Sequence, residues 1–374
     1  MSYDLPEPPA SADDLRENLA WLTATALPIH ASAKVNLGEG RTPLLPAPGH
    51  GAPTWLKVEG QNPTGSHKDR FHAISAAIAR RLGAAAIVTS STGNHGAASA
   101  AYAARAGLGC LILLHPDSPD ALRTQLRAYG AHVGVVPGEV QTIVAALVDE
   151  AGWYPGTGAD PALAGRGNPY GQEGYKAIAY EIAGELGRVP AVVAVPAASG
   201  DTVFGVQRGF RELHDLLGLP MPVVLGCQPE GAAPLVLTAE RRADTPQVVA
   251  EATSAALSAR DPRSGWHASL ALRDGGIPIA VPEEAIAREL RTLGAMGLFV
   301  EPASALGLGG LRLARERGLV DPDADGAVVL TSSGLNWTAD ADALLGVTDP
   351  ARSADAVFAD LRNAGLPAPA PAHA

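Results

Sequence analysis

Short apolar runs recur along the chain, unbroken rather than alternating with polar residues, and nearly every one is followed by a helical pattern. Trp55–Val58 precedes Lys68–Leu82, Ala84–Thr89 precedes Gly96–Ala106, and Gly109–Leu114 precedes Asp120–Tyr129. His132–Val136 precedes Val140–Glu150. Later come the helical Gly174–Leu186, the strand Ala191–Val195, the helix Val203–Leu217 and the strand Val223–Cys227. Ile277–Val281, Glu283–Leu293, Ser304–Arg317 and Ala327–Thr331 close the series. A strand that is apolar on both faces belongs in a parallel sheet covered by helices on each side. The fold class is therefore α/β, with right-handed crossovers.

The 374 residues give room for two domains. With 47% hydrophobic and 18% charged residues, the chain can bury a large core. Lys plus Arg number 28 against 39 Asp plus Glu, a formal net charge of −11 without a basic patch. Nucleic acid and anionic membrane surfaces are therefore unexpected partners. A small anion is still admissible, because helix N-terminal amides bind phosphate without net positive charge. Cys110 and Cys227 lie in apolar runs, as buried thiols of a reducing compartment do. The acidic opening and the lack of an 18-residue apolar run lead to an expected cytoplasmic location. Residues 1–18 and 365–374 read as flexible ends, and Glu240–Ser269 reads as a surface excursion.

Four segments carry chemistry, each between a strand and the element after it. In Asn62-Pro63-Thr64-Gly65-Ser66-His67-Lys68-Asp69-Arg70 a turn places Lys68 at a helix start. The positive end of the helix dipole favours a neutral amine there, and a neutral amine can form a Schiff base. A nucleotide P-loop fails on spacing, since Ser66 and His67 separate Gly65 from Lys68. Ser90-Ser91-Thr92-Gly93-Asn94-His95-Gly96 offers amide donors to a carboxylate. Pro196-Ala197-Ala198-Ser199-Gly200-Asp201-Thr202 is a place for a phosphate, and Thr331-Ser332-Ser333-Gly334 delivers hydroxyls into a turn. Taken singly, each is equally an ordinary capped turn, with Asn94 or Asp201 as helix cap. His67 and His72 do not share a helix face, so no metal site is expected. The glycines of Leu306–Gly310 read as close helix packing.

In this order the segments resemble the pyridoxal-phosphate enzymes of the tryptophan synthase β type, within them the threonine synthase and threonine dehydratase group. Gly38-Glu39-Gly40-Arg41-Thr42-Pro43-Leu44, Asn168-Pro169-Tyr170 with Glu173-Gly174 and Lys176, and Glu301-Pro302-Ala303-Ser304-Ala305 add to the likeness. The resemblance implies fold type II, with two open, twisted, mostly parallel sheets flanked by helices. It implies a cofactor-holding domain of residues 19–83 and 161–350, a small mobile domain of residues 84–160, and a homodimer. It implies that Lys68 holds pyridoxal 5′-phosphate as a Schiff base and moves the substrate's α-proton. Asn94 would contact the ring hydroxyl, Ala198, Ser199, Gly200, Asp201 and Thr202 would take the phosphate, and Thr331 would face the ring nitrogen. Ser91, Thr92, Gly93, Asn94 and His95 would hold the carboxylate of a small amino acid. A neutral hydroxyl at the ring nitrogen leaves the carbanion less delocalised than a carboxylate would, which favours loss of a β-substituent.

Two departures bear on the reaction. Threonine synthases usually carry threonine where this chain has His95 and arginine where it has Gly171, both expected contacts for a substrate phosphate. Arg166 is near enough in sequence to substitute for the arginine. The triplet Asn94-His95-Gly96 looks like dehydratases and ammonia-lyases, whereas Lys68-Asp69-Arg70 looks like threonine synthase. The expected activity is a lyase that removes an α-proton and a β-substituent from a small amino acid. The alternatives are threonine synthase, a β-replacement synthase, or a catalytically silent binding homologue. Asp201, a carboxylate in a phosphate loop, is expected to cap the following helix and point away.

Overall fold

A computed structural model describes residues 27–29, 35–49, 51–91, 93–116, 118, 120–138, 140–158, 167–337 and 363. Among the described residues ten strands form two sheets: β1 (Leu44–Pro46), β2 (Thr54–Val58), β3 (Ala86–Ser90), β4 (Gly109–Leu114), β5 (His132–Val135), β6 (Tyr154–Pro155), β7 (Val192–Pro196), β8 (Val223–Pro229), β9 (Ile277–Val281) and β10 (Gly326–Leu330). The larger sheet has the order β1-β2-β10-β7-β8-β9, and the smaller one β5-β4-β3-β6. Among these described strands only β1 runs antiparallel to its neighbour. The α/β class and the two mostly parallel sheets are as the apolar runs and the resemblance predict.

The unbroken hydrophobicity of the strands has its reason in the layers. Every residue of β7 and β10 is buried, because helices cover both faces of the larger sheet. On one face lie the helices Lys176–Leu186 and Asp201–Leu217, with Tyr175, Tyr180 and Phe210 fully buried between them and the sheet. On the other lie Glu283–Ala295 and Pro302–Glu316. Close approach requires glycine here: a Cβ at Gly307 would come within 2.8 Å of Val328 Cγ1, and one at Gly310 would collide with Cys227 Sγ. The packing role expected of these glycines is what the structure shows.

Helix Lys68–Arg81 belongs to both cores. Phe71 packs with Tyr175 in the core of the larger sheet, while Ala73 to Ala79 pack with Ile87, Ala97 and Tyr102 of the smaller one. Its first turn is held by Arg70, whose buried guanidinium grips Glu59 at 2.6 and 2.7 Å and Glu181 at 2.7 and 2.8 Å. Burial alone would raise the Glu181 carboxyl, but Arg70 and then Lys57 hold it down at about 2. Bidentate pairing of this kind fixes direction as well as distance. It sets the helix start, and with it Lys68, against the ends of β2 and β10.

Two expectations need correction or limits. The 240–269 stretch is not only a surface excursion: Ala256, Ala259 and Ser264 are buried, and Trp266–Arg273 is a helix packed on Asp201–Leu217. The expected flexible ends, 1–18 and 365–374, lie outside the described residues. No helix among the described residues is long and apolar enough to cross a membrane.

Candidate active site

All four chemistry-bearing segments leave the carboxyl ends of parallel strands: β2, β3, β7 and β10. In open α/β sheets that is where ligand clefts form. Lys68, Ser91, Gly93, Asn94, His95, Ala198, Ser199, Asp201, Thr202 and Thr331 line one cleft of about 1100 Å³, its open mouth included. Gly200 stands behind the wall, at a φ of 96°, with Ala268 where its Cβ would be. Thr92 and Arg166 lie outside the described residues.

Lys68 is the first residue of its helix, and its Nζ donates to Tyr175 Oη at 3.2 Å. Burial lowers its amine from 10.5 to about 8, against the opposing pull of Asp201 and Glu301. A substantial neutral fraction at mild pH is what an imine-forming lysine needs. His67 sits beside it. The His67 backbone N–H donates to Thr331 O at 2.8 Å, and its ring spans Thr331 O at 3.0 Å and Thr202 Oγ1 at 3.1 Å. Burial, then Lys68, holds its pKa well below 6.5, so it bridges as a neutral ring.

The β3 loop is built differently from its expected cap. Ser91 Oγ accepts from the amides of Gly93 and Gly96, at 3.1 and 2.9 Å, and so does the capping. Asn94 is thereby released from that task. Its Nδ2 donates to Glu301 Oε2 at 3.1 Å and its Oδ1 accepts from Asn336 Nδ2 at 2.9 Å. Gly93 admits the ring of Trp337, which a Cβ there would strike. His95 Nδ1 lies 2.9 Å from His72 Nε2, and the Phe71 and His95 rings stand perpendicular, 5.0 Å between centroids. That same Phe71 ring occupies the space beside Gly171: a Cβ at 171 would stand 2.6 Å from Phe71 Cδ1 and closer still to Cε1 and Cζ.

At the phosphate-type turn, helix Asp201–Leu217 starts at Gly200, with no side-chain cap. Asp201 therefore does not act as the helix cap, and its side chain does not leave the cleft. As the first helical residue it profits from the dipole. Its carboxylate is turned toward Gly158, whose Cβ would collide with it, and Oδ1 lies 3.9 Å from His267 Nδ1. Across the cleft Thr331 Oγ1 and Ser304 Oγ are 3.0 Å apart, and Ser304 Oγ also accepts from the Ser332 amide at 2.8 Å.

These residues fit pyridoxal phosphate. The amine of Lys68 stands at the wall, a glycine-started helix N-terminus at one end offers amides to a dianion, and a neutral hydroxyl pair stands at the other. The sequence pattern described as "Pyridoxal-phosphate dependent enzyme" matches residues 35–334. The chain belongs to that family. It is a pyridoxal-phosphate-dependent enzyme. The threonine synthase of Halalkalibacterium halodurans is 34% identical over 311 residues, covering 80% of this chain and 84% of that one. The threonine synthase of Methanocaldococcus jannaschii is 34% identical over 338 residues, covering 86% and 81%. The solved structure of processed threonine deaminase isoform 2 from Solanum lycopersicum superposes with a TM-score of 0.70 at 17% identity, covering 92% of this chain and 98% of that one. At that identity the likeness is one of fold.

The family member's cleft also contains groups that sequence reasoning left without a role. Glu301, fully buried between Asn94 and Ser258, has its carboxyl raised by burial and faces Lys68 electrostatically. Its signal was the Glu301-Pro302 pair, read only as a resemblance. Tyr175 reaches the site by packing from a distant element and had no sequence signal, while Asn336 and Trp337 lie just beyond the Thr331–Gly334 turn, where no motif marks them.

Proposed function

We propose that this enzyme is a lyase for a short, uncharged β-hydroxy amino acid, of the threonine or serine dehydratase type. The observation that carries the reading is the Phe71 ring standing where a side chain at position 171 would begin. The guanidinium that threonine synthases usually place there has no room, and His95, in the place of their threonine, is held neutral by burial first and Lys68 second. Among the described residues lining the cleft, Lys68 and the exposed, rim-lying Arg263 are the only lysine or arginine side chains. Among the described residues, a second phosphate dianion would therefore have only Arg263 beside Lys68 as a charge-assisted partner, where each such contact is worth about 1.5–3 kcal/mol.

Bound pyridoxal phosphate supplies a conjugated sink for charge at the substrate's α-carbon. Lys68 Nζ takes the α-proton, with Tyr175 Oη fixing its direction. Amides of the Ser91–His95 loop hold the carboxylate, and the turn Ala198–Thr202 holds the cofactor phosphate. Thr331, backed by Ser304, would offer a neutral hydroxyl to the cofactor ring rather than a carboxylate, a setting that would favour loss of the β-oxygen over return of the proton. Water leaves in the elimination and re-enters in hydrolysis, so the amino acid yields one keto acid and one ammonium ion. Residues 19–83 with 161–350, and 84–160, act as two lobes that shut water out of the cleft. A cytoplasmic homodimer without nucleic-acid or lipid partners belongs to the same reading.

Threonine synthase is the second reading. It is favoured by the names of the curated relatives and by buried Asp69, which accepts from Thr64 N and Oγ1 at 3.1 and 2.9 Å within the Lys68-Asp69-Arg70 motif. Steady-state assays with L-serine, L-threonine and O-phosphohomoserine separate the two, following keto acid, ammonia and phosphate together. Keto acid and ammonia in equal amounts from serine or threonine are expected. Efficient phosphate release with threonine as product would overturn the lyase reading.

A further inference from the structure

The burial around the pair His72–His95 favours one polarity of its hydrogen bond. His72 is fully buried in helix Lys68–Arg81, and its ring stands nearly perpendicular to that of His95, at 86° and 5.2 Å between centroids. A hydrogen bond between two imidazoles needs a proton on one nitrogen and a lone pair on the other. Two assignments satisfy the 2.9 Å contact between His72 Nε2 and His95 Nδ1. They differ at His72 Nδ1, which is buried and has no hydrogen-bond partner among the described residues. If Nε2 were the acceptor, Nδ1 would carry an N–H buried without an acceptor, the rarest kind of orphan in folded proteins. If Nε2 is the donor, Nδ1 is a bare lone pair, which costs less than a buried N–H without an acceptor. His72 therefore donates, His95 Nδ1 accepts, and the proton of His95 is on Nε2.

That leaves a definite edge. His95 is half-buried and lines the cleft, while its Nδ1 is occupied by His72 and its ring stands perpendicular to that of Phe71. Burial and the neighbouring Lys68 keep His72 down at about 3 and His95 well below its ordinary value, so neither ring becomes a cation.

We propose that His72 is a positioning residue that locks His95 as a neutral Nε2–H donor, and that His95 uses this donor to recognise the β-oxygen of the substrate. The inference rests on the lyase reading and narrows it. The preferred substrate carries a single uncharged oxygen on its β-carbon. A neutral one-proton donor satisfies a hydroxyl and leaves a phosphate ester's charge unmet. Position 95 thereby selects by oxygen and against charge.

The test combines a spectroscopic and a kinetic readout. In ¹⁵N NMR of the cofactor-free and the loaded protein, His95 is expected as the Nε2–H tautomer. In His72→Leu that preference is expected to be lost, and in His72→Gln, whose amide N–H replaces the donor, to be retained. In kinetics, L-serine is compared with β-chloro-L-alanine, which undergoes the same elimination without a β-oxygen. The ratio of kcat/KM for serine to that for chloroalanine is expected to fall about tenfold in His72→Leu, the size of one neutral hydrogen bond. It is expected to return to within about threefold of wild type in His72→Gln. An Nδ1–H or doubly protonated His95 in the wild type overturns the proposal, as does an unchanged ratio in His72→Leu. If the wild type eliminates from neither compound but releases phosphate from O-phosphohomoserine, the lyase reading and the recognition role fall together. Turnover of both compounds with an unchanged ratio overturns the pair alone.

Discussion

Gly171→Ala is the smallest change that tests how the cleft is walled. Gly171 opens a short 3₁₀ turn, Gly171–Tyr175, and is not among the residues with positive φ, so the backbone itself accepts alanine. The obstacle is the Phe71 ring, 2.6 Å or less from the new Cβ where ordinary carbon contacts are about 3.5–4.0 Å. The ring has nowhere to retreat: it is fully buried, with His72, His95 and Tyr175 at 5.1, 5.0 and 5.9 Å between centroids. Overpacking of this kind costs about 1–3 kcal/mol. Phe71→Ala alone leaves a cavity and costs about 3–5 kcal/mol. In the Phe71→Ala background the alanine at 171 meets no ring and is expected to be nearly neutral. The double-mutant cycle should thus show a coupling of about 1–3 kcal/mol. Urea unfolding of the cofactor-free protein and its three variants, at a common slope, measures it. Additivity within about 0.5 kcal/mol would show that the ring does not fill this space, and the argument against a guanidinium at 171 would go with it.

Two further outcomes follow from Lys68. Lys68→Ala is expected to abolish turnover and the visible imine absorbance while the circular dichroism spectrum persists, and normal turnover would refute the assignment. Its amine near 8 sets a pH dependence: covalent attachment of pyridoxal phosphate to the cofactor-free protein should accelerate as pH rises and level off just above 8. Because this folded-state value lies below the unfolded 10.5, the associated stability is present above about 10.5 and is lost as pH falls through 8. Attachment rates still climbing at pH 10 would contradict the lowered value.

The strands were legible because burial on two faces writes itself into one-dimensional sequence as unbroken apolar runs. Gly109–Leu114 and Ile277–Val281 match β4 and β9 to the residue. The strands that were missed, Leu44–Pro46 and Tyr154–Pro155, are too short for any period to show. Helix Trp266–Arg273 was missed because Trp266 and Leu270 on it stay half-exposed, which blurs the apolar stripe. At the site, Lys68, Asn94 and Thr331 could be found from local motifs, since each follows directly from its own strand. Asp201 was misjudged because a capping motif describes the backbone next to it, whereas its direction is set by Gly158 and His267, 43 and 66 residues away in the chain. The His72–His95 contact is likewise a product of two packed helices, and neither sequence segment contains it.

The position of β10 also governs when the enzyme can come into being. β10 lies between β2 and β7, pairing Val328 with Leu56 and with Ala194, so the larger sheet is cut in two until it arrives. Contacts closed over so many residues form late and slowly. During synthesis the smaller sheet can assemble as soon as Pro155 has emerged, but His67, next to Lys68, bonds Thr331 only after that residue has emerged too. A nascent chain with its lysine already exposed thus has no finished place for the ring or the phosphate. A premature stop anywhere before Gly326 leaves open sheet edges on β2 and β7 in place of an enzyme.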